Sequence, residues 1–132
     1  MRRTYNGCLA FRGPNGLEGR CFLQVYEAAG ALPVVLATET SENPGQSVTN
    51  AAEAIATEVW RALLPHAREG FRLFEIYRRP RADGRIEECF DEVDLRLTGP
   101  NQLEAADWRS SSRAAVEALI GVRFAVPVKS SY

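Results

Sequence analysis

Residues 71–97 read FRLFEIYRRPRADGRIEECFDEVDLRL, and this stretch predicts a β-hairpin. Strand-forming residues flank Asp83-Gly84, a dipeptide typical of hairpin turns because both positions tolerate positive φ. We therefore predict strands over 71–79 and 86–97, joined by a type I′ turn. Cys89 and Val93 fall on one face of the second strand, because side chains alternate along it.

Three further strands are predicted before this hairpin. The segments 5–12 and 21–27 carry apolar and aromatic residues, and the second of them is the clearer strand. Residues 34–38 read VVLAT, a continuous apolar run typical of a central strand that is covered on both faces. Pro33 is expected at the first position of that strand, since proline cannot donate to the ladder.

A helix is predicted between the third strand and the hairpin. Apolar residues from Val48 to Leu63 recur at spacings of three and four, which places them on one stripe of a helix. Asn50 and Glu53 have the spacing of a capping box, so the helix is expected to begin there, or a turn earlier with Ser47 or Thr49 as its cap, and to end near Leu64. The following Pro65 disfavours helix at the residue before it.

Two helical segments are predicted after the hairpin. Asn101 with Glu104 again has capping-box spacing, which predicts a short helix that includes Trp108. The serines at 110–112 are expected to separate it from a helix over 113–120, because serine favours caps over helix interiors. Gly121 then stands where a helix C′ glycine belongs.

These elements give the order β-β-β-α-β-β-α, with 122–128 as a candidate final strand. We predict one domain over residues 1–132, of the α+β class. Its two layers would be a mostly antiparallel sheet of about four to six strands and two main helices packed on one face.

Composition indicates an ordinary globular protein. The chain is 45% hydrophobic, and its 16 basic and 17 acidic residues give a net charge of −1, which argues against broad electrostatic capture of nucleic acid. Cys8, Cys21 and Cys89 form no zinc-binding spacing, so we expect no metal and no cofactor. Because the sequence shows no secretory leader and no long apolar run, a cytoplasmic protein without membrane contact is expected.

The polar stretch before the first predicted helix is one candidate site. Its backbone N–H groups at a helix N-terminus would favour an anion, and its carboxylates would suit acid–base chemistry. The alternative is a capping loop in which each polar side chain has only a structural role. If the protein is an enzyme, the candidate catalytic residues are Glu39, Asn43, Ser47, Asn50 and Glu53.

The predicted hairpin is the second candidate site, because its charges are unevenly distributed. Six arginines lie within 68–85, whereas five carboxylates lie within 87–94. Antiparallel pairing would bring the two sets together in cross-strand ion pairs, which is the structural interpretation. The functional interpretation is a basic tip that binds nucleic acid or an acidic partner. Its partner-binding residues would be Tyr77 as a stacking ring with Arg78, Arg79, Arg81 and Arg85.

Three segments resemble a group of short uncharacterised bacterial proteins. They are residues 34–39 (VVLATE), 43–53 (NPGQSVTNAAE) and 116–121 (VEALIG). The resemblance covers much of residues 20–121. It implies a bacterial, cytoplasmic protein of unknown function, and it supplies no activity, cofactor or catalytic residue.

The sequence favours a non-catalytic module that interacts with protein or with nucleic acid. We also expect a homodimer, since self-association through a sheet edge or a helix face is one way to protect the edge strands of a small sheet. The alternative function is a small hydrolase or ligand-binding enzyme with its site at the N-terminus of the first predicted helix.

Overall fold

Six strands form one sheet in the computed structural model, which describes residues 1–12, 18–39, 70–99 and 102–124. The strands lie in the sheet in the order in which they occur along the chain. A helix follows the last strand and packs against the sheet. The elements are β1 Arg2–Arg12, β2 Glu18–Glu27, β3 Val34–Glu39, β4 Arg72–Pro80, β5 Ile86–Gly99, β6 Gln102–Ser110 and α1 Arg113–Ile120.

Two three-stranded meanders meet at the middle of this sheet. Neighbouring strands are antiparallel within β1–β3 and within β4–β6, whereas β3 and β4 are parallel, with Val35 opposite Leu73. Parallel neighbours require a crossover connection. Of the residues between these two strands, 40–69 include the predicted first helix and lie outside the described residues.

One face of the sheet, the helix face, packs against α1. Its side chains come from alternate positions of β2 to β5, as the two-residue period of a strand requires. Val116 and Ile120 of α1 are four residues apart, so they lie on one side of the helix and complete the cluster. The buried strand residues in this cluster are Tyr26, Val34, Leu36, Phe74, Ile76 and Phe90.

The opposite face, the second face, is equally buried. Leu23, Val25 and Leu73 are each at most 6% exposed, although no described element packs against them. Residues 34–37 of β3 alternate between the two faces, yet each is at most 2% exposed. The prediction that this strand is central and covered on both sides is therefore confirmed.

The β4–β5 hairpin is confirmed, but its turn is not of the predicted type. The N–H of Gly84 donates to the carbonyl of Arg81 (3.1 Å), and the N–H of Arg81 donates to the carbonyl of Arg85 (2.7 Å). Gly84 has a φ of +82°. These bonds define a three-residue loop, 82–84, that ends in a left-handed glycine instead of a two-residue type I′ turn.

The helix predicted around Trp108 is wrong, because this segment is strand β6. Trp108 lies opposite Val93 and Ala105 opposite Leu95, while the register shifts between those two pairs. The extra residue is a β-bulge, which interrupts the two-residue alternation. Because the bulge hides this alternation, the capping-box spacing of Asn101 and Glu104 dominates the sequence pattern.

The predicted α+β class, with two main helices on one face of the sheet, is also wrong. The described residues are mostly sheet and contain one helix of eight residues. That helix begins and ends where predicted, with Ser112 as its N-cap and Gly121 in the left-handed conformation at its end. Residues 122–124 form no strand, and the rest of the candidate final strand lies outside the described residues.

None of the helical structure in the described ranges is long and apolar enough to cross a membrane.

Candidate partner-binding site

The end of the β4–β5 hairpin, residues 79–86, projects from the sheet and is here called the hairpin tip. Every one of its residues is exposed. The arginine side chains at positions 79 and 81 are 57% and 55% exposed. The paired strands position the tip, since the ladder extends from Leu73 opposite Val93 to Pro80 opposite Ile86.

The charges on the tip are only weakly neutralised. Arg79 Nε lies 3.6 Å from Glu87 Oε2, and Arg81 Nε lies 4.0 Å from Asp83 Oδ1. Ion pairs this exposed contribute little binding or stability. Asp83 also accepts the backbone N–H of Arg85 at 3.0 Å, and the Arg85 side chain pairs with no carboxylate in the described part of the chain. The tip therefore keeps a net positive character.

Tyr77, the predicted stacking residue, does not lie on the tip. Its O–H donates to Asp91 Oδ2 at 2.6 Å across the strand pair. Burial, followed by this hydrogen bond, raises the pKa of the phenol well above its usual value. Arg78 lies opposite Glu88 within the ladder. The structure thus places three predicted partner-binding residues on the tip (Arg79, Arg81 and Arg85) and two inside the hairpin.

Cross-strand ion pairing, the structural interpretation, accounts for the arginines farther from the tip. Arg72 donates to both carboxylate oxygens of Glu92, at 2.8 and 2.9 Å, and Arg109 of β6 reaches the same carboxylate at 3.3 Å. The hydrogen bond from Arg72 holds the pKa of Glu92 below its ordinary value. This network lies on the helix face. The network accounts for the charges at the base of the hairpin, and it leaves the tip arginines available for another role.

A notch of about 450 Å³ lies beside the tip, where β6 ends. Ser110 is the last residue of β6, and the chain then turns onto the helix face to begin α1. Arg113, the first helical residue, donates to both oxygens of Glu88 at 2.8 and 3.1 Å. Residues lining the notch include Tyr77, Arg79, Cys89, Trp108, Ser110 and Ser112.

The notch leaves no pattern in the sequence, because its walls come from four separate elements, β4, β5, β6 and α1. The sequence pattern indicates the serines at 110–112 only as a boundary between two helices. Their position between an apolar Trp108 and a capped helix is the one signal that could have indicated a surface there.

The second face also carries polar groups near the notch. Glu75 is 1% exposed and lies opposite Asp91 in the ladder, so two carboxylates share this face. The alternation of residues 73–77 predicts this placement, since Glu75 is in phase with Leu73 and Tyr77.

The described cysteines do not form a reactive site. Burial raises the pKa of the Cys89 thiol, which therefore stays protonated and weakly nucleophilic at neutral pH. Cys21 is 2% exposed, and Cys8 is exposed on β1. Across the described ranges, no group of acidic, cysteine or histidine side chains is arranged to hold a metal ion.

The candidate catalytic residues are not brought together by the described structure. Glu39 is the last residue of β3 and lies opposite Cys21 of β2. Asn43, Ser47, Asn50 and Glu53 all lie outside the described residues. The enzymatic alternative thus stays a prediction.

Comparison with protein-family models, with curated proteins and with solved structures finds no match to this chain.

Proposed function

We propose that this protein is a non-catalytic interaction module whose hairpin tip binds an acidic protein partner in the cytoplasm. The observation that carries this proposal is the tip itself. Arg79, Arg81 and Arg85 project into solvent with only long or absent ion pairs, although the whole chain has a net charge of −1. Charge concentrated at one projecting site favours association with a surface of opposite sign.

A protein partner fits the tip better than a nucleic acid does. The hydrogen bond to Asp91 holds Tyr77 within the hairpin, so the tip offers no described aromatic ring on which a base would stack. Asp83 and Glu87 lie among the arginines, and both carboxylates would repel a phosphate backbone. The carboxylates of a polypeptide stand on flexible side chains, so they can approach the arginines while avoiding these two groups.

Replacing the three tip arginines together tests this proposal. We expect Arg79→Ser, Arg81→Ser and Arg85→Ser to weaken binding of fluorescent poly-L-glutamate, measured by anisotropy, about tenfold or more, a loss of about 1.4 kcal/mol. The matched control changes Arg2, Arg3 and Arg123 to Ser, three exposed arginines away from the tip. It removes the same charge and should leave the affinity within about twofold, because exposed charges act locally in salt.

Two results would contradict the proposal. Equal weakening by both sets of substitutions would show that binding depends on total charge. Tighter binding of an oligothymidylate than of poly-L-glutamate, lost in the tip variant, would assign the tip to nucleic acid instead.

We further propose a homodimer, formed through the outer side of α1. Ala114, Ala115 and Ala118 are exposed there, and Val122 beyond the helix is 40% exposed. Small side chains let two helices approach closely, and burial of the valine would add an apolar contact. Sedimentation equilibrium should give twice the chain mass of 14.6 kDa, with the monomer mass for Ala118→Glu. A monomer mass for the unmodified protein at every concentration would exclude the dimer.

A further inference from the structure

The outer edge of β5 is open next to the hairpin tip. The β5–β6 ladder ends with Asp91 opposite Ser110, and one more bond follows, from the N–H of Ser111 to the carbonyl of Phe90 at 2.6 Å. The chain then leaves the sheet to form α1. Residues 86–89 of β5 therefore have β4 on one side and no described strand on the other.

The alternating direction of the backbone N–H and C=O groups identifies which of them face this open edge. Residues along a strand direct their N–H and C=O groups alternately to the two sides. The Phe90 carbonyl points toward Ser111, so the backbone groups of Glu88 and Ile86, two and four residues earlier, point the same way. No backbone bond to either residue from that side exists among the described residues. Ile86 is 55% exposed.

The charges around the edge define the chemistry that suits it. Glu88 is held by Arg113 and Asp91 accepts from Tyr77, whereas Glu87 forms only the long, exposed pair with Arg79. The three tip arginines thus outnumber Asp83 and Glu87. Arg85, at the end of the loop, has no carboxylate partner within the described ranges. The charge left to be neutralised is therefore positive, and it lies beside an exposed apolar side chain.

We propose that the β5 edge at residues 86–88 binds an extended segment of the acidic partner as an added strand, in which acidic and apolar residues alternate. This inference rests on the proposed function and specifies its partner. The backbone groups of Ile86 and Glu88 bond the added strand. Because alternate side chains of that strand face opposite sides, its apolar residues contact Ile86 while its carboxylates face the tip arginines.

A second copy of this chain does not fit the same edge through β1. That strand reads RRTYNGCLAFR and contains three arginines and no carboxylate. Pairing it beside the tip would bring like charges together, which opposes association.

Amide hydrogen exchange, followed by NMR, tests the inference on the unmodified protein. The probe is a ten-residue peptide of alternating glutamate and valine, and a lysine–valine peptide of the same length is the control. We expect the Glu–Val peptide to slow exchange at Ile86 and Glu88 about tenfold or more, because each amide gains a hydrogen-bond acceptor. Protection confined to the amides of β1, or equal protection by the lysine–valine peptide, would overturn it.

Two substitutions at one position give an independent test. Ile86→Pro removes an outward N–H that the β4–β5 ladder does not use, and proline is tolerated at strand edges and first residues. It should weaken binding of the Glu–Val peptide about tenfold, whereas Ile86→Val, which keeps the N–H, should bind within about twofold of the unmodified protein. Unchanged binding by Ile86→Pro would overturn the added strand.

The two proposals fail in distinguishable ways. If the tip arginine variant loses affinity for poly-L-glutamate while Ile86→Pro still binds the Glu–Val peptide normally, the proposed function stands and the added strand is wrong. If the tip variant binds poly-L-glutamate normally, the proposed function itself is wrong.

Discussion

At the residue scale, Glu92 makes the free energy of unfolding depend on pH in the acidic range. Its carboxylate accepts two hydrogen bonds from Arg72, which lower its pKa in the folded protein. The stabilisation is thus present above the unfolded-state pKa of about 4.3 and is lost as the pH falls through the lower folded-state value. We expect the free energy of unfolding in urea to decrease from about pH 5 downward, and Glu92→Gln to flatten that decrease.

The control for this prediction is Glu87→Gln. The Glu87 carboxylate is more exposed than that of Glu92, and it lies 3.6 Å from Arg79. Glu87→Gln should change the pH dependence of the free energy of unfolding little, because an exposed ion pair contributes less to stability. If the free energy of unfolding falls as steeply with decreasing pH in Glu92→Gln as in the unmodified protein, the role given to Glu92 is contradicted.

Tyr77 shows what sequence alone cannot predict at this scale. The alternation of β4 places its ring on the face shared with Leu73, but the acceptor of its O–H is Asp91, fourteen residues away. That pairing depends on the register of the hairpin. An aromatic residue beside arginines predicts a binding role, whereas the hydroxyl of this tyrosine forms a hydrogen bond across the hairpin.

At the element scale, the length of one loop sets that register. A two-residue turn at Asp83-Gly84 would bring Tyr77 opposite Phe90, whereas the observed three-residue loop brings it opposite Cys89. A shift of one residue transfers every side chain of one strand to the other face relative to its partner. The sequence predicts the hairpin because Asp-Gly is a strong signal, but it does not distinguish the two loops.

The helix α1 was predicted at its observed bounds because its end signals are local. Ser112 accepts the N–H of Ala115 at 3.1 Å, and Gly121 has a φ of +72°. Ser112→Ala should lower the free energy of unfolding by about 1 kcal/mol, since a cap of this kind satisfies an otherwise unpaired N–H. Urea unfolding measures the loss.

Ser110→Ala is the matched control for the cap. Ser110 is exposed, two residues earlier, and forms no side-chain hydrogen bond given by the described structure. Its replacement should change stability by less than about 0.5 kcal/mol. Equal losses for the two serines would show that the cap contributes nothing specific.

At the scale of the whole molecule, burial on both faces of the sheet is the main structural feature. Leu36 lies on the helix face at 1% exposure and Leu73 on the second face at 0%. We expect Leu36→Ala and Leu73→Ala each to reduce the free energy of unfolding by about 2–5 kcal/mol, because each leaves a cavity in a packed layer. A loss below about 1 kcal/mol for Leu73→Ala alone would show that the second face is not a core.

The sequence predicts the strands better than their arrangement. Strands β3 to β5 carry continuous or alternating apolar patterns, which are local signals. The parallel contact of β3 with β4 joins residues that are far apart in sequence, and nothing in either strand specifies it. The two-layer prediction failed for a related reason, since the bulge in β6 made a strand resemble a helix.

Whether binding is concentrated at the hairpin tip can be measured residue by residue, by NMR titration of the unmodified, ¹⁵N-labelled protein with poly-L-glutamate. We expect the largest chemical-shift changes on residues 79–88 and on the adjoining 110–113, with the signals of β1 nearly unchanged. Shifts centred on Arg2 and Arg3, or distributed evenly over exposed arginines, would contradict this expectation.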